Sequence, residues 1–149
     1  MFAPAPNPMQ KIAWTLLLIC LTTVSASLAA APTGYSINAD SPSGNADSLY
    51  RIDLATGAET RVATVKSLGQ TRLDTEGLAF APDGTLYGMD DDALTLFALN
   101  PDNAVVQSGS EFLIQGLPIG GGNDFGMTFA CDGSLYVTSS ATGSLYRMD

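Results

Sequence analysis

Glu76–Asp92 reads EGLAFAPDGTLYGMDDD, and Phe125–Ala141 reads FGMTFACDGSLYVTSSA. Aligned from Gly77 and Gly126, the two stretches match through Tyr87 and Tyr136 at a constant offset of 49 residues, without a gap. A second element recurs three times: Ser48-Leu49-Tyr50-Arg51-Ile52-Asp53, Thr95-Leu96-Phe97-Ala98-Leu99-Asn100 and Ser144-Leu145-Tyr146-Arg147-Met148-Asp149. Its spacings are 47 (95 − 48) and 49 (144 − 95). Both elements keep the same order, so the chain is built from a unit of about 48 residues, a period that points to propellers, kelch-like arrays or helical solenoids.

Local chemistry chooses among these. Pro82-Asp83-Gly84 joins two short runs rich in Leu, Phe and Tyr. Proline presets the negative φ of a turn, and glycine accepts the positive φ that follows. Asp132-Gly133 repeats the signal, and Leu54-Ala55-Thr56-Gly57 and Asn100-Pro101-Asp102-Asn103 mark two further turns at equivalent places. No segment after Ala31 carries a sustained helical period with caps at both ends. The pattern is all-β. Each unit reads as four strands: A over Gly77 to Ala81, B over Thr85 to Met89, C over Leu94 to Asn100 and D over Ala104 to Phe112. A four-stranded antiparallel meander per period is a β-propeller blade. The inner strands are sandwiched between neighbouring blades, so Phe80, Leu86 and Met89 are expected in the core.

The run EGLAFAPDGTLY, with SLYRIDLATG in the preceding unit, resembles the superfamily of NHL-repeat, streptogramin-lyase-like and gluconolactonase-like propellers. The resemblance extends from Tyr35 to Asp149 and marks a fold rather than an activity. A closed propeller has at least four blades. This sequence supplies about two and a half: Tyr35-Ser36-Ile37-Asn38 aligns with strand B of a first blade, and the last blade reaches Asp149 at the end of strand C. The expectation is an incomplete ring, from a truncated gene or fragment, whose open blade edges pair with a partner chain or with another copy.

Residues 1–29 are expected to be a signal peptide and residues 30–149 the partial propeller domain. Lys11, the apolar run from Ile12 to Leu21 and the small residues through Ala29 form the n-region, h-region and cleavage-site pattern of export. The apolar core is shorter than the about 20 residues of a membrane span. The processed chain is therefore expected to be secreted or periplasmic, with no integral span. Cys20 leaves with the signal, so Cys131 stands alone and no internal disulfide can form. Net charge is −9, and losing Lys11 makes it −10 (−9 − 1). So acidic a surface repels phosphate backbones and argues against nucleic acid. The sequence has no histidine, which removes Ser-His and Cys-His nucleophiles and histidine general bases.

The acidic residues gather where the connections into strand A meet the B-to-C loops. Asp74 and Glu76 lie at the head of the second blade's strand A, Asn123 and Asp124 at the matching place in the third, and Asp90-Asp91-Asp92 in a B-to-C loop. Carboxylates converging from several loops suit Ca²⁺, which takes six to eight oxygens. In gluconolactonase-like propellers a Glu just before a Gly at an inner strand is a metal ligand, and the resemblance carries that role to Glu76. The candidate set is Glu76, Asp90, Asp91, Asp92 and Asp124. Turn-forming, solvated acidic loops would give the same pattern. The glycines of Gly120-Gly121-Gly122 precede a strand rather than a helix and read as a connection, not a phosphate cradle. Two functions follow: a non-catalytic exported propeller surface for binding or scaffolding, or a Ca-type hydrolase or lactonase inactivated by truncation.

Overall fold

A computed structural model of the chain describes residues 31–39, 47–67, 70–71, 74–117 and 124–148. The signal-peptide residues, Cys20 and the Gly120–Gly122 connection lie outside them. Among the described residues no helix is long and apolar enough to cross a membrane.

Among the described residues, three antiparallel sheets of three or four strands follow one another along the chain. The first holds β1 (Thr33–Asn38), β2 (Ser48–Asp53) and β3 (Glu59–Thr64) in that order. A small hairpin, β4 (Lys66–Ser67) with β5 (Gln70–Thr71), leads to the second sheet. That sheet is β6 (Thr75–Phe80), β7 (Leu86–Asp90), β8 (Thr95–Leu99) and β9 (Phe112–Leu113). The third is β10 (Phe125–Phe129), β11 (Leu135–Ser139) and β12 (Ser144–Met148). By the repeat, these are strands B-C-D, A-B-C-D and A-B-C of three consecutive blades. The fold is a partial β-propeller, and β6 packs between β1 and β10 at the inner end of the blades.

Each A-to-B hairpin closes as its Asp-Gly pair requires. Thr85 N–H donates to Asp83 Oδ1 and Ser134 N–H to Asp132 Oδ1, both at 2.9 Å. Gly84 and Gly133 take φ of 86° and 88°, which glycine adopts without a side-chain clash. The Thr85 and Ser134 bonds hold both aspartates below their ordinary pKa.

Two apolar clusters fill the joints between blades. Leu49, Val65, Leu86, Phe97, Leu99 and Val106 join the first blade to the second. Met89, Leu94, Ile114, Phe125, Leu135 and Val137 join the second to the third. Full burial of such side chains is worth roughly 1.5–3 kcal/mol each. Leu86 and Met89 are buried as expected; alternate β7 side chains face opposite joints, which is why both faces of an inner strand are apolar.

Two expectations are corrected. Phe80 is not core: it is 47 % exposed, because it ends β6 beside the hairpin tip and covers only the edge of Tyr35. Strand D does not run from Ala104 to Phe112. Ala104 takes φ of 56°, Val105 and Val106 make only isolated bridges, and the regular pairing with β8 is confined to β9. Between them the Ser110 hydroxyl accepts the Ala98 N–H at 3.0 Å, a side chain standing in for a ladder carbonyl.

Candidate functional site

The head of strand A, the end of strand B and the B-to-C turn share one end of each blade. The A-to-B tips, with exposed Cys131, occupy the other. In the second blade the acidic end is tied together by its backbone: Asp91 N–H donates to Asp74 O at 3.3 Å. Asp74 takes φ of 70°, a left-handed conformation that Asp tolerates better than most residues.

Three carboxylates converge there. One oxygen each from Asp74, Asp91 and Asp92 lies within 4.8 Å of the other two. Asp74 and Asp91 are half-buried and Asp92 is exposed. Asp91 Oδ1 is buried and meets no hydrogen-bond donor among the described residues. Burial pushes the Asp91 carboxyl above its ordinary pKa. The Asp92 backbone amide pulls it down, and the Asp92 and Asp90 charges push it up again. Converging hard oxygens, one of them buried and meeting no donor among the described residues, fit a divalent cation of the Ca²⁺ kind. A cation would also relieve the like-charge repulsion that the fold imposes.

The other expected ligands stand elsewhere. Asp90 is buried, and its Oδ1 accepts the Ala93 N–H at 2.8 Å, capping its own turn. Ser139 does the same in the third blade, accepting the Thr142 N–H at 3.3 Å. Glu76 Oε2 accepts the Phe125 N–H at 3.2 Å, across the joint to the next blade. Asp124 is exposed, with its backbone N–H on Ser140 Oγ and its carbonyl on Ser140 N–H. Among the described residues, then, the three-carboxylate group takes Asp91 and Asp92 from the expected set and adds Asp74. Asp74 was legible as an acidic residue at the strand's head. Its left-handed backbone, which brings it to the B-to-C turn, has no signature in the sequence.

No known protein family matches the chain, and no curated protein does. Among solved structures it is similar to selenomethionine-substituted virginiamycin B lyase from Staphylococcus aureus, at 13 % identity and a TM-score of 0.39. That match covers 78 % of this chain and 40 % of the other. It is also similar to the catalytically inactive variant of that lyase with quinupristin, at 14 % identity and a TM-score of 0.42, covering 80 % and 41 %. The chain thus spans about two fifths of the length of these structures.

Proposed function

We propose that this chain is an exported propeller segment whose acidic blade end is a non-catalytic binding surface, organised by a divalent cation. The observation that carries the reading is the convergence of Asp74, Asp91 and Asp92 within 4.8 Å, with Asp91 Oδ1 buried and meeting no donor among the described residues. Asp90 holds the B-to-C turn beside that centre by accepting the Ala93 N–H. The chain has no histidine, and the exposed thiol of Cys131 lies at the opposite blade end, away from the carboxylates. Export is proposed from the Lys11 and Ile12–Leu21 pattern, and N-terminal sequencing of secreted material should begin at or near Ala30.

The experiment is calcium titration of the processed chain, read by calorimetry. Heat with a stoichiometry near one, lost in Asp91→Asn and Asp92→Asn, supports the reading; no heat above dilution refutes it. The second reading, a metal-dependent lactonase or hydrolase, is favoured by the same carboxylates, because a bound cation polarises a carbonyl as a Lewis acid. Calcium-dependent turnover of a lactone panel would establish it over the non-catalytic one.

A further inference from the structure

Consecutive blades are joined by a repeated contact between a carboxylate and a backbone amide. Asp47, the residue before β2, is 2 % exposed, and its Oδ1 accepts the N–H of Thr75 at 2.7 Å. Thr75 opens β6, strand A of the second blade. Glu76 Oε2 accepts the N–H of Phe125, which opens β10, strand A of the third. In both cases an acid from one blade receives the first amide of the next blade's innermost strand. Such amides need an acceptor for a physical reason. β6 and β10 are the inner edges of their sheets, so N–H groups directed away from the ladder have no strand to meet. A buried N–H left without a partner is costly, and an ionised acceptor makes the stronger bond.

The backbone around Glu76 is shaped for this contact. Thr75 pairs with Asp90 and Gly77 with Met89, so Glu76 is the extra residue of a β-bulge. The third blade runs from Phe125 opposite Ser139 to Gly126 opposite Thr138 with no extra residue. A bulge re-aims a side chain out of the alternating pattern. Gly77 leaves room for the Met127 side chain of β10: a Cβ there would lie 2.8 Å from Met127 Cγ. Bulge, glycine and carboxylate act on one joint.

We propose that Glu76 is a positioning residue, a strut that sets the spacing of the second and third blades, and that Asp47 does the same between the first and second. This assignment stands apart from cation binding by Asp74, Asp91 and Asp92, and it takes Glu76 out of the ligand set. A strut needs length and an acceptor oxygen, whereas a cation ligand needs charge. Glutamine keeps the length; aspartate keeps the charge but is shorter by one methylene, about 1.5 Å of reach.

Amide hydrogen exchange of the full chain, read residue by residue with calcium absent, tests the strut whether or not a cation binds. Glu76→Gln should hold exchange at Phe125 and along β10 within about threefold of the parent, and Glu76→Asp should speed it about tenfold or more. Amides of β1 and β2 should stay within about twofold in both variants, because only the distal joint is loosened. Equal loss in the two variants, faster exchange in Gln than in Asp, or acceleration spread evenly over the first and third blades would overturn the assignment.

Discussion

Tyr87 on β7 and Phe129 on β10 meet across the joint between the second and third blades, with ring centroids 5.4 Å apart and planes tilted by 49°. Tyr35 on β1 and Phe80 on β6 repeat the contact across the first joint, edge to face at 5.8 Å. The tyrosines are equivalent: Tyr35 stands three residues before the end of β1 at Asn38, and Tyr87 three before the end of β7 at Asp90. Each joint therefore carries an aromatic pair toward the A-to-B end and a carboxylate–amide contact at the acidic end. A double-mutant cycle on Tyr87→Ala and Phe129→Ala should return a coupling of about 0.5–1.5 kcal/mol in urea unfolding. Additive single effects would mean that the rings touch without interacting.

Phe97 and Phe80 should respond very differently to truncation. Phe97 is fully buried, and its ring fills the space above Gly88. Phe97→Ala should cost about 3–5 kcal/mol, and half-exposed Phe80→Ala clearly less. Chemical denaturation of the two variants side by side checks the order.

Gly88→Ala should destabilise by about 1–3 kcal/mol through overpacking. The new Cβ would lie 2.6 Å from Phe97 Cε2 and 2.9 Å from Cζ, on a ring held in the core. Gly77→Ala meets the flexible Met127 side chain at 2.8 Å and should cost less, since methionine can shift. Urea midpoints of the two variants give the comparison.

Asp83 and Asp132 should give the fold an acid-sensitive limb. Backbone N–H groups of Thr85 and Ser134 favour the ionised carboxylates, so both folded pKa values lie below the ordinary 3.8. A depressed carboxyl adds stability that is complete above the unfolded value and disappears as pH falls through the folded one. Replacing both by Asn keeps an acceptor oxygen and removes the titration. Melts between pH 5 and pH 2 should then fall less steeply in the double variant, over about that range.

Asp91 has the opposite sign. Its raised carboxyl contributes stability that is present below pH 3.8 and lost as pH rises through the folded value. Without a cation, Asp91→Asn should melt higher than the parent at pH 7 and close to it at pH 3. Saturating calcium should raise the parent's melting temperature, by about 2.7 kcal/mol of stabilisation at a hundredfold excess over Kd, and leave the variant unmoved.

The blades were legible because their turns use residues with narrow backbone preferences. Asp83-Gly84 and Asp132-Gly133 announce both A-to-B hairpins, and the offset of 49 places their strands. The B-to-C turns hide the same regularity. Asp47, Leu94 and Gly143 each directly precede strand C, and all three are left-handed, with φ of 54°, 45° and 59°. Only the last is glycine. Packing holds Leu94 in that conformation within the second joint, so no local rule could have found it. The Glu76 bulge was equally silent, because an extra residue in pairing does not disturb an ungapped alignment. Strand D was overdrawn for a related reason. Val105 and Val106 have the composition of a strand, yet Val106 N–H donates to Lys66 O and Lys66 N–H to Ala104 O.

That last pairing bears on the order in which the molecule assembles. Lys66 lies in parallel beside Val105, so the stretch leaving the first blade is bonded to the outer margin of the second. Hairpins close over short loops, but this seam waits for a segment a whole β6–β8 meander further along the chain. Loop-closure entropy delays such remote pairings relative to neighbouring ones. The hairpins within each sheet are therefore expected to form before this seam, which shares its remoteness with the other contacts of the joint, Tyr35 with Phe80 among them.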